Sequence, residues 1–245
     1  MKWIEPDWPA PARVRALSTT RDGGESEGVF AGLNLGAHVG DVPARVEANR
    51  VRLQQVADIP GPLNWLNQVH GTAVHPVSNQ YDVVPDADAA CAHETGQACI
   101  VMTADCLPVL FCDRAGTVVA AAHAGWRGLQ GGVLEASIAA MGCEPGEILA
   151  WLGPAIGPTA FEVGGEVRDA FMAQQAEAEA AFVPSSNEGK WLADIYLLAR
   201  LRLGRAGVSA IYGGEFCTFG DSERFYSYRR DGQTGRMASI IWLAR

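Results

Sequence analysis

Three apolar runs in this chain each stop at one chemically active side chain beside small residues. They are Trp65-Leu66-Asn67-Gln68-Val69-His70-Gly71, Val101-Met102-Thr103-Ala104-Asp105-Cys106-Leu107-Pro108 and Ala120-Ala121-Ala122-His123-Ala124-Gly125-Trp126-Arg127-Gly128. Short apolar runs bounded by turn residues read as strands, and strand ends are where a sheet presents chemistry while its interior stays packed. Two imidazoles and one thiolate converging at such ends would leave an open position on a tetrahedral metal. A nucleophilic cysteine beside a histidine base would use the same side chains. The sequence leaves both readings open.

The remainder of the chain mixes strand and helix signals and reads as α/β. Residues 13–18 alternate like a strand, which Arg21-Asp22-Gly23-Gly24 then turns. Asp41 is expected to cap a helix that has Pro43 in its first turn and runs to about residue 57, before Pro60. Strands are expected on both sides of His70-Gly71-Thr72 and at 98–103, 107–112, 117–122, 148–152, 208–212 and 237–243. Helices are expected over 128–141, ended by Gly142, and over 164–182 and 191–206, the last ended by Gly207. The 174–190 stretch is the best loop candidate. Without an internal repeat or a compositional break, residues 1–245 read as a single domain.

Charge and cysteine usage narrow the class. With 19 basic and 28 acidic residues the net charge is −9, which argues against a broad nucleic-acid footprint. No stretch is long and uncharged enough to span a bilayer, and the N-terminus lacks an apolar signal core, so a cytoplasmic protein is expected. Its six cysteines should then be reduced thiols. Cys99, Cys112 and Cys143 lie in or beside apolar runs, where cysteine acts as a small hydrophobe. Cys106 differs because it stands between Asp105 and Pro108, at a break between two runs.

Of the five histidines, His75 and His93 sit in polar, turn-rich surroundings that suit a solvated surface. His38, just before the Asp41 cap, fits either a loop hydrogen bond or a pocket wall. Arg21 and Arg127 are set in glycine-rich turns, where backbone N–H groups and a guanidinium together suit an anion. Arg229 and Arg230 precede Asp231-Gly232 and fit either an anion site or a charged surface. Asp88 and Asp105 could orient a ligand imidazole or cap a turn. A His/Cys/His donor set suits zinc, with copper as the other candidate. Five histidines cannot furnish both a blue-copper centre and a trinuclear cluster, so a true multicopper oxidase is not expected.

Several long segments resemble the hallmark sequences of the laccase-domain family, whose members have been called polyphenol oxidases, purine nucleoside phosphorylases and peptidoglycan editing factors. They are Asn67–Gly71, Thr103–Pro108 and Ala122–Gly128, joined by Ser18–Gly24, Asn34–Asp41, Gly153–Gly157, Phe161–Gly164 and Tyr226–Asp231. The resemblance spans nearly the whole chain. It implies a layered α-β-β-α domain with mixed sheets, similar to toxin-like cysteine hydrolases, and zinc on the matching His70, Cys106 and His123. It further implies phosphorolysis of adenosine, inosine, guanosine and methylthioadenosine, with adenosine deamination alongside. The alternatives are a Cys106-dependent amidase that edits peptidoglycan precursors and a copper-dependent polyphenol oxidase. Within the matching segments, Arg21, Asn34, His38, Gln68, Arg127, Arg229 and Arg230 are the expected contacts to nucleoside and phosphate. A monomer with no nucleic-acid or membrane partner is expected.

Overall fold

The structure, a computed structural model, describes residues 1–78 and 83–244. The chain opens with β1 (Trp3–Ile4) and β2 (Val14–Thr19), then forms α1 (Pro43–Val56). Next come β3 (Val74–Pro76), β4 (Ala89–Ala92), β5 (Ala98–Thr103), β6 (Leu107–Asp113) and β7 (Val119–Ala124). Helices α2 (Trp126–Gly131) and α3 (Val133–Met141) lead to β8 (Ile148–Leu152), β9 (Glu162–Gly164) and α4 (Gly165–Met172). The last part holds β10 (Phe182–Pro184), β11 (Lys190–Ala193), α5 (Ile195–Arg205), β12 (Ala210–Gly213), α6 (Tyr228–Asp231) and β13 (Met237–Leu243).

Period-two alternation stacks these strands into layers. A four-stranded sheet runs β1-β2-β13-β5, and a six-stranded mixed sheet runs β12-β8-β6-β7-β4-β3. Cys99, Val101 and Ile241 of the first sheet meet Leu110, Cys112, Val119 and Ala121 of the second in the layer between them. The opposite residues of the first sheet, Ile100, Met102 and Ile240, pack with Leu53 of α1. On the far side of the second sheet, Leu107, Val109, Phe111 and Ala120 pack against Leu134 and Ile138 of α3 and Leu198 of α5. The order is therefore α-β-β-α, and both sheets are covered on each face. Residues 98–112 are apolar almost throughout because each of these strands serves two cores. A small β10-β11-β9 sheet flanks the α4 and α5 region.

Local departures from the sequence reading have identifiable causes. A strand follows His70-Gly71-Thr72, β3 at Val74–Pro76, but the segment that leads into His70 forms none. Residues 65–72 instead form an irregular segment, and the Gln68 side chain takes the place of strand pairing. Its Nε2 donates to the Met102 carbonyl at 2.8 Å, and its Oε1 accepts from the Met102 N–H at 2.7 Å. Asp41 does not cap α1, whose N-cap is Val42. Its carboxylate accepts from Ser26 Oγ, Asn34 Nδ2 and the Val42 N–H, which ties down the preceding loop.

The expected 128–141 helix is two helices, because Gly132 takes φ +104° and interrupts the ladder. The expected 164–182 helix ends at Met172. The other begins at Ile195, after the Asp194 carboxylate accepts from the Leu197 N–H at 2.9 Å. Trp191 and Leu192, placed in that helix by the sequence reading, are in β11, paired with Val163 and Glu162. Strand β4 (Ala-Ala-Cys-Ala) gave no signal, since alanine has weak strand propensity and only its neighbours β3 and β7 define it. All six cysteines are free. Among the described residues no helix is long and apolar enough to cross a membrane.

Candidate metal centre and cleft

The site lies at one end of the layer between the two sheets. Strand β5 belongs to the four-stranded sheet and β6 to the six-stranded one, so residues 104–106 must cross between them. That crossing is tight enough to put Asp105 at φ +88°, a conformation few non-glycine residues adopt. Cys106 emerges from it half-buried. His123 is one residue from the end of β7, in phase with Val119 and Ala121 toward the inter-sheet layer, and is buried. His70 comes from the irregular segment, with φ +60° and an exposed side chain.

Asp88, fully buried, holds the two histidines in register. One carboxylate oxygen accepts from the His70 N–H at 3.0 Å and lies 2.8 Å from His123 Nδ1. The other accepts from the N–H groups of Val69 and Gly71 at 3.2 and 2.6 Å. This carboxylate compensates the left-handed backbone at His70 and also favours the Nδ1–H tautomer of His123, leaving Nε2 free as a donor atom.

One donor atom from each of His70, Cys106 and His123 falls in a cluster within 4.8 Å of one another. Cys106 Sγ is 4.0 Å from His70 Nε2, and the two imidazole rings meet edge-on with centroids 4.8 Å apart. A zinc tetrahedron with these bond lengths has an edge of roughly 3.5 Å, so small side-chain movements would close the set on an ion. Its electrostatics suit a cation as well. Burial raises the Cys106 thiol, but the charge and hydrogen bond of His123, followed by those of His70, outweigh it and bring the thiol to about 6. Burial lowers the His123 imidazole, yet the Cys106 charge and the Asp88 hydrogen bond raise it to about 9. The pair therefore favours a thiolate beside an imidazolium, and a bound cation would take the imidazolium proton's place.

Gly125 must lack a side chain for this arrangement to exist. A Cβ there would lie 3.0 Å from Cys106 Sγ and His70 Cδ2, and 3.5 Å from His123 Nε2. Gly125→Ala should keep the fold and weaken metal binding by about tenfold, read by chelator competition. Unchanged affinity would mean that the donors need not approach closely.

The cluster opens into a cleft of about 400 Å³. Of the residues singled out in the sequence, His38, Gln68, Arg127 and Arg229 line it with the three donors and Asp105. Arg21, Asn34 and Arg230 do not. Arg21 donates to the carbonyls of Ser222 and Ala31 and stacks on Tyr226. Arg230 donates to the carbonyls of Thr218, Phe219 and Phe225. Asn34 is buried between Gly36, Asp41 and Arg236. All three brace loops, with their polar groups spent on backbone groups and, for Asn34 and Arg230, on the carboxylates of Asp41 and Asp231. Asp105, read as orienting an imidazole or capping a turn, does the second: it binds Thr218, Ser227 and the Arg229 N–H.

The sequence reading passed over Arg236, Trp126, Phe161 and Tyr228, which also line the cleft. Arg236 follows Gly235 just before the last strand, the same glycine-plus-arginine signal that singled out Arg21. Burial, then Arg236, Arg50 and His123, lower the His38 imidazole below its usual range. His38 thus faces the cleft as a neutral donor and acceptor.

Two stacked sheets with a two-histidine, one-cysteine cluster where the chain crosses between them define a mixed α/β protein with a candidate metal centre. Residues 15–244 match the model of the multi-copper polyphenol oxidoreductase laccase family, and the chain belongs to that family. It is 61% identical over 241 residues to a purine nucleoside phosphorylase of Pseudomonas aeruginosa, covering 98% of each chain. It is 57% identical over 242 residues to another from Escherichia coli, covering 99% of each. Among solved structures, a Neisseria meningitidis protein superposes with a TM-score of 0.95 at 55% identity over the full length of both chains. YlmD from Geobacillus stearothermophilus gives 0.94 at 33% identity, covering 100% of this chain and 97% of that one.

Proposed function

We propose that this protein is a zinc-dependent purine nucleoside phosphorylase acting on adenosine, inosine, guanosine and methylthioadenosine. The observation that carries the reading is the cleft beside the His/Cys/His cluster. It gathers three guanidinium groups, from Arg127, Arg229 and Arg236, with the aromatic side chains of Trp126, Phe161 and Tyr228. Asp105 is the one carboxylate among the described residues lining it, and its oxygens are committed to Thr218, Ser227 and Arg229. A polyanion is therefore favoured there, and flat aromatic faces suit a purine. The relatives named purine nucleoside phosphorylase point the same way.

His70, Cys106 and His123 would hold zinc, which supplies a Lewis acid with an open coordination position. The arginines would orient phosphate toward the anomeric carbon and offset its charge as the glycosidic bond breaks. His38 would contact the nucleoside, Gln68 would line its pocket while its amide holds Met102, and the aromatic wall would exclude water from the sugar. Adenosine deamination would be a side activity of the same site. In this reading the chain works as one domain, in a reducing cytoplasm that suits its six free thiols.

Incubating purified protein with inosine and phosphate should give hypoxanthine and ribose 1-phosphate by mass spectrometry; product that forms equally well without phosphate would refute phosphorolysis. Arg236→Ala and Arg229→Ala should each raise the KM for phosphate by about tenfold or more. Arg21→Ala should leave it unchanged and lower only stability. Equal phosphate KM values in all three variants would return these arginines to structural duty.

One observation favours a second reading. Asp88, His123 and Cys106 form a carboxylate–imidazole–thiol relay, the arrangement of a metal-free thiol hydrolase such as an amidase for peptidoglycan precursors. In the phosphorylase reading, zinc should shield Cys106 from iodoacetamide while supporting turnover. An enzyme that works best after chelation and dies on alkylation would be the hydrolase. Copper could occupy the same donors, and the family description names copper. Any phenol oxidation should then fall as zinc is added, because the two ions compete for one cluster.

A further inference from the structure

Asp105 is strained, buried and adjacent to a candidate ligand, yet it touches neither imidazole. Its carboxylate reaches three points on the segment that forms the far wall of the cleft. Thr218 Oγ1 donates to one oxygen at 2.6 Å. Ser227 Oγ and the Arg229 N–H donate to the other at 3.0 and 2.7 Å. Its own carbonyl accepts from the Ile156 N–H at 2.9 Å, which ties in the 153–157 loop. Ser227 is also the N-cap of α6, accepting from the Arg230 N–H, so the carboxylate anchors the turn that presents Tyr228 and Arg229. Left-handed conformations at non-glycine residues persist only where the surroundings over-determine them, and they concentrate at functional sites. Four hydrogen bonds from three segments do that here.

We propose that Asp105 is a positioning residue, which locks the crossing that aims Cys106 to the α6 turn that aims Arg229, so that the metal centre and the anion-binding wall are held by one carboxylate. The proposal rests on the reading of the cluster as a zinc site and of Arg229 as a phosphate contact. Its physical content is that a single side chain fixes two groups that never touch. Loss of the carboxylate should loosen both together, in contrast to a residue that serves one wall of the cleft.

Three variants separate the carboxylate from the backbone. Asp105→Gly accepts φ +88° without strain but removes every side-chain bond. Asp105→Asn keeps the shape, tolerates the left-handed region and can still accept from Ser227 and the Arg229 N–H. The Thr218→Val/Ser227→Ala pair leaves Asp105 in place and removes two of its partners. Zinc affinity is read by chelator competition, phosphate affinity by titration calorimetry of the zinc-loaded protein, and stability by thermal melting.

Asp105→Gly should bind both zinc and phosphate at least about tenfold more weakly. The Asn variant should stay within about threefold of the parent on both, and the double variant should fall between them. A melting temperature that drops while both affinities hold would overturn the proposal and leave Asp105 a purely structural residue. Loss of phosphate affinity alone, with zinc unchanged, would overturn the joint role. If the parent protein binds zinc but no phosphate, the phosphorylase reading fails, and the zinc measurements decide Asp105: tenfold weakening in the Gly variant with recovery in Asn supports it, equal affinity overturns it.

Discussion

Cys106→Ser should leave the protein folded and strip it of metal. Cys106 is half-buried in a turn between two strands, so exchanging sulfur for oxygen disturbs little packing. The chemistry changes far more. The thiol sits beside two imidazoles and is brought down to about 6, whereas a serine hydroxyl stays protonated and is a poor ligand for zinc. Metal content by elemental analysis is expected to fall from near one ion per chain to less than about a tenth of that, with nucleoside cleavage lost in step. The melting temperature of the metal-free form should match that of the metal-free parent. Full metal retention would remove Cys106 from the ligand set.

Asp88 should matter nearly as much without touching the ion. It orients His123 through Nδ1 and supports the left-handed turn at His70 through the N–H groups of residues 69–71. Asp88→Ala would orphan those donors, at about 1 kcal/mol of stability for each bond, and release both imidazoles at once. Asp88→Asn is the sharper probe. It keeps the size and one acceptor but puts an amide N–H where a carboxylate oxygen now accepts, which disfavours His123 with its Nδ1 proton. Metal affinity is expected to fall by about 10–100-fold in Asp88→Asn. The effect should be larger in Asp88→Ala, with a clear drop in melting temperature. An Asn variant that binds metal as the parent does would show that His123 needs no carboxylate to hold its tautomer.

The three candidate donors could be singled out in the sequence because each sits where an apolar run breaks beside a small residue; for Cys106 and His123 those runs are sheet strands, whereas the run before His70 folds as an irregular segment. The same logic failed for the arginines. A guanidinium next to glycines can turn toward a ligand or toward backbone carbonyls. Arg21 and Arg230 turn to loop carbonyls away from the cleft, whereas Arg229 and Arg236 give one nitrogen to carbonyls and still line it. Arg236 drew no notice, although the same local signal was present, because the wall it joins is assembled from segments far apart in sequence. The helix limits erred where a glycine or a strand partner intervened. Gly132 broke one helix, and pairing with β9 converted residues 190–193 to strand.

By itself the sequence determined the apolar runs that become the central strands and singled out the three candidate donors. Those depend on composition and short-range pattern, which local physics can read. Only the tertiary structure decided that the donors meet, because they come from three separate segments that the crossing between β5 and β6 brings to one end of the inter-sheet layer. It likewise decided the work of two carboxylates, with Asp88 at the imidazoles and Asp105 on the opposite wall of the cleft. A carboxylate has no fixed partner in a one-dimensional chain: it serves whichever unpaired donors the fold buries beside it.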